Sequence, residues 1–296
     1  MVNYPAPLGY LDGQWRPLAE ISVSALDRGF LFADGIYEVI PVYQGMPFRL
    51  QAHLLRLERS MALIRLAAAP PRQQMAEIVA GLLAGNGLSD ASVYLQVTRG
   101  AYGHRDLAFP QTPRPTIFGM CTPLPAIPAE LTESGVSAVT RADIRWGACQ
   151  VKSVALLANV LARQEALDAA AVEAILVRDG LVTEGCGSNV LAVIGGVLVT
   201  PPLDPHILAG ITRGALLELA RAEDMAVREM PLTVASLGGA EEIWLASSTR
   251  EVLAVTRLDG KPVGDGRPGP RWRRIHARYQ EIKRHGGLLA EARSQA

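Results

Sequence analysis

Lysine is nearly absent from this chain of 296 residues: Lys152, Lys261 and Lys283 stand against twenty-six arginines. Cysteine is scarce too. Cys121, Cys149 and Cys186 are odd in number, far apart and without a Cys-x-x-Cys pair, so neither a disulfide framework nor a zinc site is indicated. No sign of charge is in excess, with 29 basic and 29 acidic residues and no basic arm or acidic tail. Nucleic acid is therefore not an expected partner. Long apolar runs are missing. The longest uncharged stretch, Gly185 to Leu203, has four glycines and five polar or proline positions among its nineteen residues. It reads as strands about a Gly195-Gly196 turn and not as a membrane span. There is no Walker-type loop, and the run from Gly185 fails the Gly-x-Gly-x-x-Gly pattern at Val190, so a dinucleotide-binding fold is not supported. Met1-Val2-Asn3-Tyr4-Pro5 has neither a charged nor an apolar leader region; a soluble cytoplasmic protein is the expectation.

What is present is apolar. Hydrophobic residues make up 49% of the chain, enough for a core and for two domains. Asp12-Gly13 between Gly9–Leu11 and Gln14–Pro17 reads as a tight hairpin. Gly35–Tyr43 is rich in β-formers, and Leu50, Leu54, Leu57, Met61 and Ile64 repeat at helical spacing. A second helix is expected over Arg72–Ala84, ended by Gly85-Asn86-Gly87, then strands at Ser92–Arg99 and Pro115–Met120. Thr122–Pro128 carries three prolines in seven residues and reads as a linker. Beyond it a helix is expected from Ser153, as N-cap, to about Ala169, followed by a meander over Glu173–Thr200. A further helix opens at Gly210-Ile211-Thr212-Arg213, and strands follow at Glu242–Ala246 and Val252–Arg257. The fold class expected is α+β, with an N-terminal domain over 1–121, a linker over 122–129 and a C-terminal domain over 130–296.

Lys152 stands out because it lies in the apolar stretch Val151–Leu157. Lysine, unlike arginine, can shed its proton and attack a carbonyl. The bland alternative is a buried stem with its amine in water. Lys261 follows the turn Leu258-Asp259-Gly260, and Lys283 sits in a basic helical segment. A cofactor that takes a lysine, pyridoxal phosphate, also needs an ionised partner for its ring nitrogen and an anion site. Glu184 is the single acid between Asp179 and Asp204; its alternative is an exposed charge where two strands meet. For the phosphate, the helix start at Gly210-Ile211-Thr212, the hydroxyls of Ser247-Ser248-Thr249, and Arg56 are candidates. For Arg56 the alternative is a solvated helix face.

Four segments carry a likeness to a known family: Leu26-Asp27-Arg28-Gly29-Phe30 with Asp34–Val39; His53-Leu54-Leu55-Arg56-Leu57; Asp143-Ile144-Arg145-Trp146 through Lys152-Ser153; and Thr183–Asn189 continuing to Leu208–Arg213. Over nearly its whole length the chain resembles the class IV, or fold type IV, pyridoxal-phosphate aminotransferases, bacterial D-amino-acid aminotransferases most of all. The resemblance implies a two-domain α+β fold with the cofactor between the domains, and a homodimer. It implies Lys152 as the Schiff-base lysine and Glu184 as the ring-nitrogen partner. Arg56, Ile211, Thr212, Ser247 and Ser248 are implied for the phosphate, with Leu208 against the ring. Tyr37 and Val39 are implied in the substrate pocket. Arg105, reaching in from the other subunit, would bind the substrate carboxylate. The implied reaction moves an amino group between a D-amino acid and a 2-oxo acid. Two positions depart from the family. A histidine common two residues after the carboxylate arginine is here Leu107, and Leu191 replaces an aromatic residue. The first departure leaves an (R)-amine transaminase open as an alternative, and 4-amino-4-deoxychorismate lyase shares the fold. A binding protein that has lost the cofactor is opposed by intact Lys152, Glu184 and Arg56.

Overall fold

The computed structural model describes residues 7–66 and 68–287; Met1–Pro5, read above for a leader, lies outside them. The chain forms two compact units. The first holds the residues up to Pro125 with Val151–Ala155 and Arg284–Gly286; the second holds Ala126–Gln150 and Leu156–Lys283.

The first unit is built on an antiparallel six-stranded sheet. Strands β1 (Leu8–Leu11) and β2 (Gln14–Pro17) form the expected hairpin. Helix α1 (Arg28–Phe32) precedes β3 (Gly35–Tyr43) and β4 (Met46–Pro47). Helices α2 (Leu50–Leu63) and α3 (Arg72–Asn86) lead to β5 (Ala91–Thr98) and β6 (Thr116–Pro123). The sheet order is β2-β1-β6-β5-β3-β4. Side chains alternate along a strand, so Ile36, Glu38 and Ile40 are buried while Tyr37 and Val39 are half-buried on the opposite face. The buried face packs against α2 and α3 through Leu54, Leu57, Met61, Met75, Ile78 and Leu82.

The second unit carries a mixed ten-stranded sheet. Helix α4 (Ala129–Glu133), β7 (Val136–Ala142) and α5 (Leu157–Asp168) come first. The meander follows as β8 (Glu173–Arg178), β9 (Leu181–Gly185), β10 (Asn189–Ile194) and β11 (Val197–Thr200). Then come α6 (Ile211–Ala222), β12 (Val227–Glu229), β13 (Leu232–Thr233) and α7 (Val234–Gly238). Strands β14 (Glu242–Ser247), β15 (Glu251–Leu258) and β16 (Lys261–Pro262) and helix α8 (Pro270–Lys283) complete it. One face of the sheet buries Ile175, Val190, Ile243, Leu245 and Leu253 with Leu237 of α7; the other buries Val139, Ala174 and Leu176 against Ala162 and Ala166 of α5.

One expectation is corrected. Ser153 does not cap a helix: α5 begins at Leu157, after Leu156. The reason is that the preceding segment is claimed by β3. Tyr37 N–H donates to the Lys152 carbonyl at 3.0 Å, Val154 N–H donates to the Gly35 carbonyl at 3.0 Å, and Ser153 bridges Ile36. The same bonds group Lys152 with the first unit.

Candidate active site

The first unit gathers Lys152, Tyr37, Val39 and Arg56. Lys152 is half-buried, and its Nζ lies 4.2 Å from the centre of the Tyr37 ring. Its backbone is fixed on both sides, since its N–H also donates to Ser60 Oγ at 3.2 Å. Cation–π attraction holds the amine toward the face of the sheet that displays Tyr37. Tyr37 stacks on Tyr94 at 5.6 Å, and Tyr94 donates to Gln96 Oε1 at 2.7 Å. Burial, with the neighbouring Tyr37, pushes the Tyr94 hydroxyl up to about 12, so it remains a donor at neutral pH.

On the other face of β3, Glu38 is fully buried. Arg56 of α2 grips it with two hydrogen bonds, Nε to Oε1 at 2.7 Å and Nη2 to Oε2 at 2.8 Å; His53 Nδ1 meets Oε2 at 2.8 Å. Burial alone would raise the Glu38 carboxyl, but the charge and hydrogen bonds of Arg56 and His53 hold it well below the usual range. Burial lowers His53, which outweighs the pull of Glu38. Arg56 is thus no solvated face: a buried carboxylate fixes its guanidinium plane. Glu38 and His53 have no assigned role in the sequence reading, although both lie in its marked segments.

The second unit gathers Glu184, Leu208, Ile211, Thr212, Ser247 and Ser248. Glu184 on β9 is 6% exposed. Its Oε2 accepts from Leu208 N–H at 3.0 Å and from Asn189 Nδ2 at 3.1 Å, and its Oε1 accepts from Arg145. Arg145 is itself held by Asp143, Nε to Oδ1 and Nη2 to Oδ2, both at 2.9 Å. Thr183 Oγ1 adds a donor to Asp143 at 2.9 Å. Burial disfavours the Arg145 cation, yet Asp143 and Glu184 together raise it. Burial likewise works against the Asp143 carboxylate, and the Arg145 hydrogen bonds and charge win, bringing it down to about 2. Glu184 thus ends a row of paired side chains that runs through Arg145 to Asp143. The exposed-charge alternative does not hold. Arg145 was missed as a functional residue; the signal available was the Asp143-x-Arg145 spacing, which puts two opposite charges on one side of an extended chain.

Asn189 links Glu184 to the start of α6. Its Nδ2 also donates to the Leu208 carbonyl at 2.9 Å, and a Cβ on Gly210 would come within 1.9 Å of Asn189 Oδ1. Only glycine fits there. Gly210 caps α6 without a side-chain hydrogen bond, and the first-turn N–H groups at Ile211 and Thr212 have no partner within the helix, the arrangement that suits an anion. Asn189 pairs with Ala246 across the ladder, which brings the end of β14 and Ser247-Ser248 to the same end of the sheet as Ser188. Ser188 Oγ is buried with no hydrogen-bond partner among the described residues. A helix start and a hydroxyl turn fit a phosphate, and a buried carboxylate paired with an arginine fits a protonated ring nitrogen. The residues present fit pyridoxal phosphate.

Arg105 is exposed, with its guanidinium 5.0 Å from the Phe32 ring centre. Leu107 is 71% exposed and offers no donor.

The charge row has a consequence for stability. Asp143 is lowered from 3.8 to about 2 in the folded chain, so the unfolded chain binds more protons between those values. Its contribution is complete above about pH 4 and is lost as pH falls toward 2. Asp34 is lowered as well, its pairing with Arg99 and Arg28 outweighing its burial. The thermal midpoint is expected to drop steeply below pH 4, and less steeply in Asp143→Asn; parallel pH profiles for the two proteins would count against this.

The amino-transferase class IV family model matches residues 35–258. A D-alanine aminotransferase of Bacillus licheniformis is 38% identical over 270 residues, covering 91% of this chain and 94% of the relative. Another, of Staphylococcus epidermidis, is 37% identical over 272 residues, covering 92% and 96%. Among solved structures, a branched-chain amino acid aminotransferase from Escherichia coli is similar at a TM-score of 0.87 and 25% identity, covering 94% of each chain. A branched-chain aminotransferase from the thermophilic archaeon Thermoproteus uzoniensis, with norvaline, gives 0.83 at 25% identity, covering 93% of this chain and 94% of that one.

Proposed function

The chain belongs to the class IV aminotransferases, and from that premise we propose that it uses pyridoxal 5′-phosphate to transfer the amino group of D-alanine, or a D-amino acid like it, to a 2-oxo acid. The observation that carries the substrate reading is the likeness, over nine-tenths of the chain, to curated D-alanine aminotransferases.

The bound cofactor supplies an electron sink for the substrate Cα and a carrier for the amino group. Lys152 would hold the cofactor in the resting enzyme. Freed from that attachment by the donor, its Nζ would be the base that takes the substrate Cα proton. Glu184, held in place by Arg145, would hold the protonated ring nitrogen. Arg56, Thr212, Ser247, Ser248 and the N–H groups of Ile211 and Thr212 would hold the phosphate, while Leu208 would pack on the ring. Tyr37 and Val39 would line the substrate pocket.

Arg105 would bind the substrate carboxylate, in a homodimer where each subunit lends it to the other. Support for a second copy comes from the apolar surface of the first unit. Phe30 is 77% exposed and lines one cleft with Val23, 48% exposed, more apolar area than a lone surface residue accounts for. A cytoplasmic location completes the proposal. The test is turnover of D-alanine with a 2-oxo acid by the purified holoenzyme, followed as pyruvate formation. Pyruvate from L-alanine but not from D-alanine would sink it.

Leu107 favours a second reading, an (R)-amine transaminase, because it offers no donor to a carboxylate. Leu107→His is expected to lower KM for D-alanine about tenfold, the worth of one hydrogen bond to a charged group. An unchanged KM in steady-state assays would remove Leu107 from carboxylate recognition.

A further inference from the structure

The segment Asp27-Arg28-Gly29 with Asp34 has no part in the chemistry above, yet Asp27 and Arg28 are both buried. Their contacts converge on one place. Between β5 and β6 lie seventeen residues, Arg99–Pro115, without a helix or a strand. A loop of that length inside a compact fold is uncommon and tends to serve a function. Arg105 sits in it.

The loop is tied at its stems by Asp27. Oδ2 accepts from Thr98 Oγ1 at 2.9 Å, at the end of β5, and from Thr116 Oγ1 at 2.7 Å, at the start of β6. Oδ1 accepts from Gly29 N–H at 2.7 Å and so caps α1. The stems approach so closely that a Cβ on Gly100, at φ +96°, would lie 1.8 Å from the Arg114 carbonyl oxygen. The Gly100 carbonyl accepts from Arg28 N–H at 2.9 Å.

The part of the loop next to Arg105 is held by the Arg28 side chain. Nη1 donates to the Asp106 carbonyl at 2.5 Å and to the Ala108 carbonyl at 3.1 Å, and Nη2 donates to the Leu107 carbonyl at 3.1 Å. Its Nε donates to Asp34 Oδ2 at 2.8 Å. Asp34 is shared with Arg99, which donates Nε to Oδ2 at 2.8 Å and Nη2 to Oδ1 at 2.9 Å, and lies 3.8 Å from the Phe109 ring centre. Phe32 contacts both guanidinium groups, Arg28 at 4.9 Å and Arg105 at 5.0 Å. Three successive carbonyls on one planar fork fix the direction of that backbone, which no ammonium could do.

We propose that Arg28, braced by Asp34, is a positioning residue for recognition of the substrate carboxylate: it sets the backbone of residues 106–108 and thereby the place of Arg105. The proposal rests on the reading of Arg105 as the carboxylate-binding residue, and the test separates the two.

The measurement is steady-state kinetics of the holoenzyme with D-alanine for Arg28→Gln, Arg28→Lys, Arg105→Ala and Arg28→Gln combined with Arg105→Ala. Arg28→Lys keeps the charge beside Asp34 and so guards against misfolding. Arg28→Gln and Arg28→Lys are each expected to raise KM about tenfold or more, with kcat within twofold and cofactor content unchanged. The double variant should be no worse than Arg105→Ala alone, since loss of Arg105 leaves nothing to position. If Arg105→Ala leaves KM unchanged, the carboxylate reading has failed and the proposal falls with it. If Arg105→Ala raises KM but neither Arg28 variant does, or if the double variant shows the product of the two single effects, the proposal alone is overturned. An Arg28 variant that lowers kcat and cofactor content without moving KM also overturns it, because that pattern belongs to a general structural role.

Discussion

Lys152→Ala is expected to leave transamination unmeasurable, with kcat reduced more than about 10³-fold, because in the proposed role one amine is both the attachment point and the proton carrier. The local fold should survive. The backbone bonds of residue 152 run from its N–H to Ser60 Oγ and from Tyr37 N–H to its carbonyl, and neither needs the side chain. The thermal midpoint is therefore expected to stay close to that of the parent. The purified variant should lack the visible absorption of lysine-bound cofactor. The other two lysines provide controls. Lys283 pairs with Glu251 at 2.9 Å on α8, and Lys261 is exposed; replacing either should leave turnover intact. Residual turnover in Lys152→Ala within tenfold of the parent would contradict its assigned role.

Glu184→Gln is the second large effect. Glutamine keeps the shape and can still accept from Leu208 N–H and Asn189 Nδ2. It loses the charge that the proposed role requires. Arg145 is left facing a neutral amide, with only Asp143 as compensation. The expected result is a fall in kcat of about 10²-fold or more, the scale seen when one preorganised electrostatic partner of a reacting system is removed. Stopped-flow half-reactions with D-alanine separate this from a change in substrate binding: the rate at saturation should fall while the half-saturating concentration changes little. A variant with parental saturating rate would show that the charge of Glu184 is dispensable.

Much of the fold is legible in the sequence where a local rule decides it. The Asp12-Gly13 hairpin, β3 and α2 follow from turn chemistry, β-branched content and helical spacing. Ser153 shows where local rules stop. Its hydroxyl and the apolar run after it suit a helix start, but long-range pairing with Ile36 takes the backbone first, and α5 begins four residues later. The expected α3 end at Ala84 is two residues short of Asn86 for a smaller reason: Gly87, at φ +61°, and not Gly85, takes the left-handed position that ends the helix.

The candidate site divides in the same way. Lys152 and Glu184 are visible because composition isolates them, one lysine in an apolar run and one acid in an uncharged stretch. Glu38, Arg145, Asn189 and Ser188 carry no such mark. Glu38 looks like a polar residue on a strand until His53 and Arg56, fifteen and eighteen residues further on, are folded against it. Arg145 is one of twenty-six arginines. Arg28 belongs to a recognisable segment, but what it holds lies 78 to 80 residues away. Residues that support others through long-range contacts are written in the sequence only as types, and their partners appear once the chain is folded.

The most direct measurement is the half-reaction of the purified holoenzyme with D-alanine and, separately, with L-leucine, following the visible band of the lysine-bound cofactor. D-Alanine is expected to discharge the band and release pyruvate, while L-leucine leaves it in place. Discharge by L-leucine with D-alanine inert would contradict the D-amino-acid reading, and a protein reconstituted with pyridoxal 5′-phosphate that never acquires the band would contradict the role of Lys152 itself.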